Sequence, residues 1–131
     1  VLGNPQAPAL PIFSFQMRDS GGLVVHQQLV TRMLSDVFGI QARGGCACAG
    51  PYAHRLLGIE AAQSQSLRAE ILSGQEVQKP GWTRLGLSPL MTDAKADQII
   101  QAVADLAADP HAYSGTYQVD PQTARFRPKA A

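Results

Sequence analysis

The chain has 131 residues, 45% hydrophobic and 16% charged, which gives room for one ordinary domain with a real core and argues against bulk disorder. Its formal net charge of +1 argues against nucleic acid as an obligatory partner, because phosphate binding normally needs a clustered basic surface. No run of about 18 apolar residues occurs, so no membrane span is expected.

The opening residues, Val1-Leu2-Gly3-Asn4-Pro5, include neither an initiator Met nor the basic and apolar regions of a signal peptide, so the sequence reads as part of a longer chain. Pro5, Pro8 and Pro11 predict an extended lead-in over residues 1–9. Residues 11–17, Pro-Ile-Phe-Ser-Phe-Gln-Met, alternate in part and are rich in aromatic side chains, the pattern of a strand. Beyond Gly21-Gly22, the residues Leu29, Val30, Met33, Leu34, Val37 and Phe38 recur at helical spacing. Gly39 stands where a left-handed cap belongs, which predicts a helix over 23–38 with His26 inside it.

Residues 40–43 suit a short strand running into the small-residue stretch 44–50. Pro51 opens a short helix through Leu57, with His54 as a polar member and Gly58 at its end. Ser66 is a helix cap for residues 66–73, with Gly74 beyond. Lys79-Pro80-Gly81 predicts a turn and 82–87 a strand. Thr92 caps a final long helix with Ile99, Ile100, Val103, Leu106 and Ala107 as its apolar stripe. Residues 109–131 form a polar tail in which Asp120-Pro121 suits a turn between the runs 117–119 and 125–127, a short hairpin. Mixed strands and helices without a strand–helix–strand period predict that residues 10–108 form a two-layer α+β small domain. Its sheet is mostly antiparallel, with helices on one face.

The two cysteines, Cys46 and Cys48, lie too close in sequence for a bridge that staples a fold, so free thiols and a cytoplasmic setting are expected. With His54 they supply at most three local metal ligands, and His26 or His111 would have to complete a zinc site from afar, so no metal is expected. An arginine presents paired donors in a fork that matches a carboxylate. By themselves Arg43 and Arg84 fit exposed or salt-bridging surface positions.

The stretch Arg43-x-Gly45-x-x-Cys48-Ala49-x-Pro51 is similar to the loop of cysteine desulfurases and of the wider class V aminotransferase family of pyridoxal-phosphate enzymes. The longer phrase from Phe38 to Gly58 resembles class V aminotransferases more closely than a dedicated desulfurase. Upstream, Leu10-Pro11-Ile12-Phe13-Ser14-Phe15 resembles the strand that opens the family's small domain. Downstream, Lys79-Pro80-Gly81-Trp82-Thr83-Arg84-Leu85 resembles the segment carrying its substrate arginine.

The resemblance covers residues 10–107 and implies the C-terminal small domain of a class V aminotransferase acting on an amino acid. It implies that Arg84 binds the substrate carboxylate, that Arg43 lies beside substrate and cofactor, and that Cys48 aligns with the persulfide-forming catalytic cysteine of desulfurases. Cys46-Ala47 stands where related desulfurases commonly carry a histidine pair, which makes a desulfurase using Cys48 the alternative reading. A non-catalytic ligand-binding or adaptor domain that keeps the fold is a further alternative. Lys79, Lys95 and Lys129 all fall outside the family's His-Lys context. The pyridoxal phosphate and its lysine accordingly belong, by this resemblance, to a large domain of the same chain. The small domain is then inactive alone, and the full protein is a homodimer.

Overall fold

The computed structural model describes residues 1–45 and 50–130. Strand β1 (Ile12–Phe15), helix α1 (Gln27–Phe38), strand β2 (Arg43–Gly45), helices α2 (Gly50–Leu57) and α3 (Ala61–Leu72), strand β3 (Trp82–Gly86) and helix α4 (Asp93–Ala108) follow in order. A short helix α5 (His111–Ser114) and the strands β4 (Tyr117–Asp120) and β5 (Arg125–Pro128) complete the fold. Two antiparallel sheets and the helices make an α+β architecture, as the sequence pattern predicts: β3 is the centre of a three-stranded sheet ordered β1-β3-β2, and β4 pairs with β5 as a hairpin.

The core lies between one face of the larger sheet and the helices α1 and α4. Phe15, Met17 and Leu85 meet Val30, Met33 and Leu34 of α1 and Ile99, Ala102 and Leu106 of α4. Because successive strand residues point to opposite faces, burying Thr83 and Leu85 turns Trp82 and Arg84 to the other side of β3.

The helices depart from the sequence pattern in instructive places. Helix α1 starts at Gln27, not Leu23: Val24 pairs with Arg18 in an isolated bridge, and His26 is the N-cap, its Nδ1 accepting the Gln28 N–H at 3.2 Å. Asp19 holds the intervening turn by accepting the N–H groups of Gly21 and Leu23, both at 2.9 Å. Val37 belongs to the apolar spacing yet is 44% exposed, because the buried face runs through Val30, Met33 and Leu34. On α4, Ile100 is 56% exposed and Ala107 also faces out, while Ala102 takes a core place beside Ile99 and Leu106. Gly39 ends α1 in the left-handed region (φ 66°), and the Ile40 N–H donates to the Leu34 carbonyl at 2.9 Å. That cap commits Ile40 to the core, so β2 begins only at Arg43.

Helix α3 starts at Ala61, five residues before Ser66, since Ala61-Ala62-Gln63 are strong helix formers that need no side-chain cap. Its polar sequence buries no residue. Thr92 caps α4 as expected, its Oγ1 accepting the Lys95 N–H at 3.3 Å. The polar tail folds onto the rest. Tyr113 and Tyr117 pack against the core, the Phe126 ring sits 5.1 Å from that of His26, and Val77 N–H donates to the Pro121 carbonyl at 3.0 Å. Asp120 shapes the hairpin turn by accepting from the Gln122 N–H (3.0 Å) and the Thr123 hydroxyl (2.8 Å). No described helix is long and apolar enough to cross a membrane.

Candidate functional site

The register of the larger sheet makes Arg43 the direct cross-strand partner of Arg84, with Gly45 opposite Trp82 and Ser14 on the other side of Arg84. Directly paired strand residues share a face with Cβ atoms about 5 Å apart. The two arginines that the sequence singles out from separate motifs therefore stand side by side on the face turned away from the core. Arg43, Gly44, Gly45, Trp82 and Arg84 line one cleft of about 30 Å³. That is close to the share of liquid volume of one water molecule, so the cleft is a shallow seat between the two arginines and does not enclose an amino acid.

The electrostatics point the same way. Like charges directly opposite on a sheet oppose folding. Among the described residues neither guanidinium has an acidic partner, and no carboxylate lines the cleft. An anion seated between the two removes the repulsion and satisfies both forks.

Two glycines make this close packing possible. A Cβ on Gly81 would lie 2.7 Å from the Gly45 carbonyl carbon, and one on Gly44 would lie 2.9 Å from the Gln27 carbonyl oxygen. Gly45 itself has φ 137°, a conformation that L side chains rarely adopt. Three glutamine amides then tie the pieces together. Gln16 donates to the Gly81 carbonyl at 3.4 Å, Gln27 to the Lys79 carbonyl at 3.3 Å and Gln28 to the Gly44 carbonyl at 3.2 Å. Sequence reading passes over these glutamines, because nothing in Gln27-Gln28 tells which distant carbonyl each amide reaches. The one available signal is that Gln27 is buried on the helix face otherwise reserved for apolar residues. Trp82 is 4% exposed, and its indole Nε1 is buried with no hydrogen-bond partner among the described residues.

The other candidates separate from this cleft or lie beyond description. Cys46 and Cys48 fall in 46–49, outside the described residues. His54 sits on α2, its Nδ1 3.2 Å from the Gly50 carbonyl and its Nε2 2.9 Å from the Ser64 hydroxyl. His26 is engaged with Val77 at 3.1 Å and His111 with Asp19 at 3.2 Å.

Pyridoxal phosphate needs a lysine for its aldehyde, and this chain does not fit that need at the cleft. Lys79 reaches Glu76, Lys95 reaches Gln98 and Lys129 reaches the Gly115 carbonyl, and none of the three lines it. No protein-family model matches the chain, and neither a curated protein nor a solved structure matches it.

Proposed function

We propose that the chain is the substrate-side small domain of a class V aminotransferase-like enzyme, and that Arg43 and Arg84 together grip the carboxylate of an amino-acid substrate. The observation that carries this reading is the register pairing of Arg43 with Arg84 on one sheet face, two cations without an acidic partner among the described residues. The chain's own part is binding and orientation: a fork on each side fixes the plane of the carboxylate, and the rest of the amino acid lies beyond the small cleft. The cofactor and its lysine belong to a large domain of the same cytoplasmic, homodimeric protein, in keeping with no lysine of this chain lining the cleft among the described residues.

The test uses the full-length enzyme. Removing a bidentate arginine from a carboxylate costs on the order of 2–5 kcal/mol, so Arg84→Ala lowers kcat/KM by roughly two to three powers of ten. Unchanged kcat/KM for every amino acid that the parent turns over would overturn the assignment.

A further inference from the structure

A second cleft, about 610 Å³, opens between α1 and the C-terminal hairpin. Thr31, Arg32 and Ser35 line it from the helix, and Thr123, Arg125 and Arg127 from the hairpin. The whole chain is nearly neutral, with 11 basic against 10 acidic residues, yet three arginines and no carboxylate line this one space. The nearby acids are already engaged. Asp36 accepts from Arg32 Nε at 2.7 Å and from the Tyr117 hydroxyl at 3.1 Å, and Asp120, the cross-strand partner of Arg125, accepts from Gln122 and Thr123 and feels the charge of Arg127 only at longer range. The Asp36 contact uses only Nε of Arg32, so its terminal amino groups keep donor capacity. Arg125 and Arg127 have no acidic side-chain partner within ion-pair distance among the described residues.

Residues two apart on a strand share a face about 7 Å from one another, so Arg125 and Arg127 offer two cationic points at that separation. The volume falls within the range of small-molecule sites, about 300–1,000 Å³. The Ser35 hydroxyl adds a neutral donor beside the arginines, whereas those of Thr31 and Thr123 already donate to the Gln28 carbonyl and to Asp120.

We propose that this cleft binds a small multivalent oxyanion, a polyphosphate or a polycarboxylate, held by Arg32, Arg125 and Arg127. Arg43 and Arg84 take no part in it, so it stands or falls separately from the substrate cleft.

The test is calorimetric titration of the chain with pyrophosphate and with citrate, using acetate as the monovalent control. Saturable binding of pyrophosphate or citrate and none of acetate is expected, and the tighter of the two tells phosphate from carboxylate chemistry. In the variant Arg125→Gln/Arg127→Gln the dissociation constant rises about tenfold or more, while Arg84→Gln leaves it unchanged. Both hairpin arginines are exposed, so the double variant keeps the parent's unfolding midpoint, which is checked alongside. Equal binding by the double variant overturns the site. So does binding of neither anion at millimolar concentration, or binding of a hexaglutamate peptide in place of both.

Discussion

Arg43 and Arg84 face each other across the β2–β3 ladder, on the sheet face opposite the core. They come from segments 41 residues apart, and what brings them together is backbone fit. Gly44 and Gly81 let α1, β2 and the start of β3 approach more closely than a side chain allows, and Gly45 adopts a φ that L side chains rarely take.

Gly81→Ala sets a Cβ 2.7 Å from backbone atoms of Gly45. Neither partner is a flexible side-chain end, so strands must shift. A loss of roughly 1–3 kcal/mol is expected, read as a lower denaturant midpoint. Gly115→Ala is the control: its Cβ meets nothing within 4 Å and its φ of −61° suits alanine. A midpoint unchanged by Gly81→Ala would mean that the close approach does not exist in solution.

His26 joins three segments. Its Nδ1 accepts the Gln28 N–H, its Nε2–H donates to the Val77 carbonyl, and its ring packs on Phe126. Burial pushes its pKa below the usual 6.5, a shift only partly opposed by the Val77 hydrogen bond. A base with a depressed folded pKa binds more protons when unfolded. Its contribution is therefore fully present above about pH 6.5 and is lost as pH falls from there toward the folded pKa. His26→Asn keeps a capping side chain but cannot titrate. Denaturation curves at pH 7.5 and 5.5 should show less loss in the variant than in the parent; equal losses would contradict the role given to His26.

Leu34 and Leu106 have no exposed surface, whereas Val37 is 44% exposed. Leu34→Ala and Leu106→Ala should each cost about 2–5 kcal/mol, and Val37→Ala no more than about 0.5 kcal/mol. A large effect of Val37→Ala would place the buried face of α1 elsewhere.

Much of this architecture is legible from local signals. Gly39, Gly58, Thr92 and the Asp120-Pro121 turn act through backbone geometry within a few residues, and the structure has a cap or turn at each. The start of α1 is not legible, because a bridge from Val24 back to Arg18 competes with helical spacing. The docking of the tail is equally hidden, since the Phe126 contact with His26 and the Pro121 contact with Val77 join residues far apart in sequence. In the site, motif resemblance singles out both arginines. Their direct pairing depends on strand register, and the glutamine clamps on partners that no spacing rule names.

For a carboxylate held jointly by Arg43 and Arg84, the chain carries its own reporter. Trp82 is the one tryptophan in the sequence and lines the same cleft. Its fluorescence, followed while L-alanine is added at neutral pH and then in a parallel titration with L-alaninamide, separates the carboxylate from the rest of the molecule. A saturable change is expected with alanine, none with the amide, and loss of the alanine response in Arg84→Gln. An equal response to the amide, or no saturable response to any amino acid, would contradict the joint hold.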